Sequence, residues 1–234
     1  AHGAELGVDL EIFVVERACR LAVECQLELH RPVEGRARTR QIVVPLPRAG
    51  DPASSGLGDV MVNYRLQALF DEKRGIAVAP RISWSFPTGD HTKGLGLGGG
   101  GLQVDVPISK ELSASVVSHT NVGASWFSRA PGAGDASTSL HNVFLGQSFV
   151  WLARSRFNML VETVWTRTTT ESDAGTGVQE SLFIIPGIRW GYDFRSGLQI
   201  VPGIGVPIGV GSSNGTRQIF LYLSFEHPFA ATGN

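Results

Sequence analysis

Gly101-Leu102-Gln103-Val104-Asp105-Val106-Pro107-Ile108-Ser109-Lys110 decides the fold. Leu102, Val104, Val106 and Ile108 fall on one parity, and Gln103, Asp105, Pro107 and Ser109 on the other. A period of two puts the first set on one face of a strand and the second on the opposite face, whereas a helix would scatter both round its circumference. The same split recurs along the chain. Leu21, Val23, Cys25, Leu27 and Leu29 oppose Arg20, Glu24, Gln26, Glu28 and His30. Val60, Val62, Tyr64 and Leu66 oppose Asp59, Met61, Asn63 and Arg65, and Ile82, Trp84 and Phe86 oppose Arg81, Ser83 and Ser85. Leu221, Leu223 and Phe225 oppose Tyr222, Ser224 and Glu226.

Eleven segments carry the pattern: 4–15, 20–30, 57–69, 75–87, 101–110, 113–127, 139–152, 156–170, 180–193, 197–210 and 217–229. Alternation alone fits any antiparallel sheet with one wet face, including a soluble barrel or sandwich. Length and aromatic placement point elsewhere. Most segments run to ten residues or more, where globular strands average about five or six and membrane-spanning strands need about 9–11. Trp84, Trp126, Trp151, Trp165 and Trp190 fall towards segment ends, where interfacial aromatic girdles lie. The expected fold is therefore all-β. It is a transmembrane antiparallel up-and-down β-barrel of about 12 strands, eleven of them visible, forming a single domain over 1–234.

The links between segments are alternately short and long. The short ones lie near 16–19, 70–74, 111–112, 153–155 and 194–196, and the long ones over 31–56, 88–100, 128–138, 171–179 and 211–216. Outer-membrane barrels have short periplasmic turns and longer outer loops. On that parity the first strand starts outside the cell. Because bacterial barrels start in the periplasm with an even strand number, one further strand is expected before Ala1. Segments 4–15 and 217–229 should then lie near each other without pairing.

Composition narrows the function. The 234 residues carry a net charge of −1, so no basic face for nucleic acid is available. Charged residues are 18% and glycines number 29, against an average glycine usage near 7%. The longest uncharged stretch, 196–216, contains Pro202, Pro207 and several glycines, a poor helix for crossing a bilayer. Cys19 and Cys25 are too far apart along a strand to bridge. The six histidines never fall at zinc-ligand spacing. No metal, cofactor or enzymatic activity is expected.

Gly94-Leu95-Gly96-Leu97-Gly98-Gly99 matches a dinucleotide fingerprint in spacing, but a strand follows it where a helix is needed, so it reads as a flexible outer loop. His119 and Asn121 share a strand face, which leaves a lipolytic Ser–His–Asn set open, although no serine is singled out. The inward parity supplies a candidate lumen wall: Glu24, Glu28, Asp59, Arg65, Arg81, Asp105, His119, Asn121, Glu162, Arg189, Asp193 and Glu226. Acids outnumber arginines on it, so a negative lumen that favours neutral or cationic solutes is expected. The outward parity, including Val104, Val106, Ile108, Ile200, Ile204, Leu221 and Leu223, is expected to face lipid.

Several motifs, in order, resemble the MetA-pathway of phenol degradation family of outer-membrane transport proteins. They are Gly56-Leu57-Gly58-Asp59, Ser85-Phe86-Pro87-Thr88-Gly89-Asp90, Val106-Pro107-Ile108-Ser109-Lys110-Glu111-Leu112 and His119-Thr120-Asn121-Val122-Gly123. Ile185-Pro186-Gly187-Ile188-Arg189, Pro202-Gly203-Ile204-Gly205-Val206-Pro207-Ile208-Gly209 and Phe225-Glu226-His227-Pro228-Phe229 continue the series. The resemblance covers about residues 56–229. It implies passage of aromatic or other small hydrophobic solutes, a place in the outer membrane among its lipids, and insertion by the barrel assembly machinery. The five residues after Phe229 depart from the family's terminal phenylalanine. The alternative function is a structural or surface-display barrel that transports nothing.

Overall fold

The computed structural model describes residues 6–14, 37–45, 57–93, 96–129, 138–172, 175–195 and 198–228, with side chains for 59–92, 96–128, 138–172, 175–195, 198–221 and 223. The chain is all-β. Its strands are β1 (Leu6–Val14), β2 (Ala37–Pro45), β3 (Leu57–Leu66), β4 (Leu69–Asp71), β5 (Ile76–Val78), β6 (Arg81–Phe86), β7 (Gly101–Ser113) and β8 (Val116–Arg129). They continue with β9 (Thr138–Arg154), β10 (Phe157–Ser172), β11 (Gly175–Trp190), β12 (Tyr192–Asp193), β13 (Gln199–Gly205), β14 (Ile208–Gly209) and β15 (Phe220–Pro228). Two single-turn 3-10 helices, His91–Lys93 and Gly211–Ser213, are the only helices among the described residues. None is long and apolar enough to cross a membrane.

All strands belong to one antiparallel sheet with the order β1-β3-β6-β7-β8-β9-β10-β11-β13-β15-β2. From β3 to β15 it is an up-and-down meander, as the alternation predicts. The ladder between β9 and β10 runs from Glu171↔Ser139 down to Phe157↔Arg154, and that between β10 and β11 from Ser172↔Gly175 to Phe157↔Trp190. Strands this long follow from unbroken two-residue periodicity with β-branched and aromatic residues at alternate positions.

Three expectations are corrected. Residues 37–45 form a strand, β2, inside the span read as a long loop, and β2 pairs with β15 from Phe220↔Pro45 to Pro228↔Ala37. The expected strand over 20–30 lies outside the described residues. The link over 171–179 is mostly ladder, so the alternation of short and long links fails there. β1 starts at the end of the sheet that carries the short turns, because Leu6 faces Leu66 at the close of β3. The parity argument had it starting at the loop end. It failed because β2, which that argument did not count as a strand, runs in the same direction as β1. As expected, no ladder joins 6–14 to 220–228. Instead β1 and β2 are the two ends of the path, and their Cα atoms approach within 8 Å.

Prolines mark two breaks of the same construction. Pro107 lies within β7, at the point where its neighbour changes from β6 to β5 across Ala79-Pro80. Pro186 lies within β11 where the neighbour changes from β13 to β14 across Val206-Pro207. A proline has no N–H for the ladder, and each sits where the adjoining strand is interrupted. Its carbonyl is still used: Ala79 N–H donates to Pro107 O at 3.1 Å and Val206 N–H to Pro186 O at 2.9 Å.

The two faces of the sheet differ in the reverse sense to a soluble protein. Trp84, Val104, Ile108, Val122, Trp126, Val143, Leu145, Phe149, Trp151, Met159, Val161, Ile184, Ile204 and Leu221 are exposed. On the opposite parity, Asn63, Arg81, Ser83, Ser85, Asp105, Ser125, Ser148, Glu162, Thr166, Ser181 and Arg189 are buried. Of the residues expected on the apolar face, Val104, Ile108, Ile204 and Leu221 are exposed, Val106, Ile200 and Leu223 half-exposed, and Leu21, Val23 and Leu27 outside the described residues.

Candidate functional site

Strand register assembles the buried face. Arg81 on β6 stands directly opposite Asp105 on β7. The guanidinium Nε lies 3.1 Å from the carboxylate Oδ1, with side-chain exposures of 6% and 1%. Gln103 donates to the same oxygen at 3.2 Å. Arg65 on β3 faces Arg81 from the other side and makes interactions of its own. A carboxylate between strands offsets the repulsion that adjacent arginines would otherwise suffer.

Two same-face steps along the strands from Asp105, a row crosses four of them: Ser109 (β7), His119 (β8), Ser148 (β9) and Glu162 (β10). Ser109 Oγ and His119 Nδ1 share a 2.9 Å hydrogen bond. Arg189 on β11 stands opposite Asn158 and Gly203 in the ladder. Asn121 lies in the next row, between Pro107 and Gly146. The structure thus brings a serine to His119, which the residue pattern alone did not select. His119 Nε2 has no hydrogen-bond partner, and neither has Asn121 Oδ1. A catalytic serine–histidine pair needs a third group to orient the ring, so Ser109–His119 is a bonded pair in the wall and not an assembled triad.

Asp59 stands on the same parity as Asn63, at the loop end of β3. Its carboxylate accepts the Gly89 N–H at 3.0 Å and the Leu97 N–H at 2.8 Å. The glycine-rich segment expected to be a flexible outer loop is therefore tied to the wall at both described sides. Asp193 sits on the short-turn rim. It pairs with Arg156 at 3.0 Å and accepts a hydrogen bond from Gln199, and its side chain is 44% exposed. Glu226 lies in β15 opposite Gln199 and Thr39, but its side chain is outside the described set, and Glu24 and Glu28 lie wholly outside it.

Of the charges expected on the inward parity, the described side chains are Asp59, Asp105, Glu162 and Asp193 against Arg65, Arg81 and Arg189. No group of three metal-ligating side chains occurs among the described residues. The reading of charged and His/Asn positions missed the small polar residues. Asn63, Ser83, Ser125, Ser148, Thr166 and Ser181 line the same face and are at most 4% exposed. Their parity, shared with Arg81 and Asp105, was the available signal. Among the described residues, both amide atoms of Asn63, Ser83 Oγ and Ser148 Oγ have no hydrogen-bond partner, nor has Asp105 Oδ2 on the same face.

Compared with known proteins, the chain matches no family model and no curated sequence.

Proposed function

We propose that this chain is a bacterial outer-membrane β-barrel that passes small, uncharged hydrophobic or aromatic solutes. The observation that carries the reading is the inversion of polarity across a single sheet. Asp105 is 2% exposed while its neighbour on the outward parity, Val104, is 36% exposed, and the Arg81–Asp105 pair is buried. In water such a sheet would leave apolar surface uncovered and desolvate its charges, both unfavourable. In a bilayer the outward apolar residues meet lipid.

Three further features support it. On β10 the outward residues Phe157, Met159, Val161, Thr163 and Trp165 span about nine residues, near what a tilted strand needs to cross the hydrocarbon. Ion pairs bracket that band: Arg167–Glu180 at the loop end, where His141 also approaches Glu171, and Arg156–Asp193 at the other. The approach of β1 to β2 suits a closed sheet, which lipid demands because unpaired backbone is costly there.

Passage of solute rests on the unpartnered polar atoms of Asn63, Ser83, Asp105, Asn121 and Ser148. Buried polar atoms are almost always bonded, and on a lumen wall water or a polar solute group supplies the bond. The motifs that resemble the phenol-degradation family are what point to aromatic compounds. A second reading, a structural barrel without transport, is favoured by the near-complete burial of Asn63, Ser83, Ser148 and Val150, each at most 2% exposed.

Reconstitution separates the two. The purified protein, folded into liposomes, should admit phenol-sized neutral solutes in a swelling assay and give small conductance steps in planar bilayers. Folded protein that gives neither would leave the structural barrel. Recovery of the native chain from the soluble fraction would defeat both.

A further inference from the structure

We propose that Thr120, Gln147 and Thr163 centre a contact between this chain and a second copy of it in the same membrane; this rests on the outer-membrane reading above and not on transport. Gln147 on β9 is the register partner of Thr120 on β8 and of Thr163 on β10, so the three stand in one row on the outward parity. The row lies inside the apolar band. On the flanking strands that parity is apolar from Leu102 to Ile108 on β7 and from Leu182 to Ile188 on β11. A polar side chain facing hydrocarbon is costly unless its groups are bonded, and this row is bonded incompletely.

Gln147 is nearly satisfied from within. Its Oε1 accepts from the Thr120 hydroxyl at 2.6 Å, and its Nε2 donates to Ser118 Oγ at 2.9 Å and to the Ser148 carbonyl at 3.1 Å. An amide oxygen has two lone pairs, so one acceptor position on Oε1 is left over. Thr163 supplies the opposite need. It is exposed, and its hydroxyl has no hydrogen-bond partner among the described residues. One row thus carries a spare donor next to a spare acceptor. A lipid tail can fill neither position, and a partner in water cannot reach this depth. A second barrel inserted in the same sense presents the same row at the same depth. A two-fold axis along the membrane normal, between β9 and β10, sets the Thr163 hydroxyl of each copy against the Gln147 amide oxygen of the other. That is the self-complementary arrangement of an isologous contact. Leu145, Phe149 and Val161, 45%, 49% and 48% exposed, surround the row and pack against the other copy. In lipid, association rests on such packing and hydrogen bonds.

The test uses single cysteines. Cys19→Ala with Cys25→Ala gives a cysteine-free parent. Into it go Val161→Cys beside the row, and Val104→Cys and Leu221→Cys on the outward face of β7 and β15, away from it. Each protein is folded into liposomes with lipid in large excess. Folding is checked by the gel shift between heated and unheated samples, and the vesicles are then oxidised. Val161→Cys should give a disulfide-linked dimer, and the other two should stay monomeric. Thr163→Val removes the donor of both inter-copy bonds while keeping the shape of the side chain and every bond inside the chain. Combined with Val161→Cys it should lower the dimer fraction about tenfold, as the loss of two net hydrogen bonds implies, and Thr163→Ser should restore it. Equal cross-linking from all three positions, or none from Val161→Cys in folded protein, would overturn the contact. An unchanged dimer fraction with Thr163→Val would overturn the role of the row. Neither result touches solute passage, which the swelling assay reads. Protein that never enters the vesicles would remove the outer-membrane reading and the contact together.

Discussion

Gln147 and Asn63 are both amides in mid-strand, and the molecule treats them in opposite ways. Gln147 lies on the outward parity of β9, between exposed Leu145 and Phe149. Its Oε1 accepts from Thr120 at 2.6 Å, and its Nε2 donates to Ser118 Oγ at 2.9 Å and to the Ser148 carbonyl at 3.1 Å. Asn63 lies on the inward parity of β3, 1% exposed, and neither of its amide atoms has a partner among the described residues. A protein in water would tolerate the reverse more readily: an exposed glutamine needs no partner, and a buried asparagine does. The difference makes sense if the outward side is lipid and the inward side is wet. A polar group facing hydrocarbon must be satisfied from within the protein, whereas a lumen supplies water to its wall.

The strongest test of the contrast is the inward ion pair. Replacing Asp105 by Ala leaves Arg81 without its register partner. In a dry interior this costs about 3–5 kcal/mol, and replacing both residues by apolar ones costs much less. Urea unfolding of liposome-folded protein should show the single variant less stable than the double. Equal stabilities would mean that the pair is solvated enough to be energetically idle.

Next in size is the outward face. Val161, at the centre of the β10 band, is 48% exposed. Val161→Arg should destabilise the liposome-folded protein by about 2–4 kcal/mol, the penalty for arginine at the bilayer midplane. If the same face were in water, the change would stay within about 0.5 kcal/mol. A neutral outcome in unfolding titrations would end the membrane reading.

The smallest effect sharpens the amide comparison itself. Thr120→Val removes the partner of Gln147 Oε1 on the outward face and should cost about 1–3 kcal/mol. Ser83→Ala removes an inward hydroxyl that bonds nothing in the protein and should change stability by less than about 0.5 kcal/mol. Similar losses from both would show that the two faces see the same environment.

Much of this arrangement is written into local pattern. Ten of the eleven segments expected from alternation contain a strand, because side-chain parity is a property of a single strand and needs no partner. Leu102 to Ser109 alone separates the future outward and inward residues of β7. Residues 37–45 escaped this reading. Arg38 and Arg40 share a parity with Ile42 and Val44, so no apolar face stands out. What makes them a strand is a ladder with β15, nearly two hundred residues away in the chain.

The site divides in the same way. Parity alone placed Arg81, Asp105, His119, Glu162 and Arg189 on one face. Register decided which of them meet: Arg81 with Asp105, Ser109 with His119. Pairing between strands depends on where each turn falls, and a one-residue slip would reverse every side chain. The glycine run shows the limit of local reading most clearly. By composition Gly94–Gly99 reads as a flexible loop, and only the position of Asp59, brought up by β3, ties its Leu97 N–H to the sheet. Periodicity within each strand is enough to give this chain long strands with one apolar and one polar face, and strand length with tryptophan placement pointed the apolar face outward. Which residues of the polar face meet was settled only in the folded sheet, because register is fixed when strands distant in the chain pair.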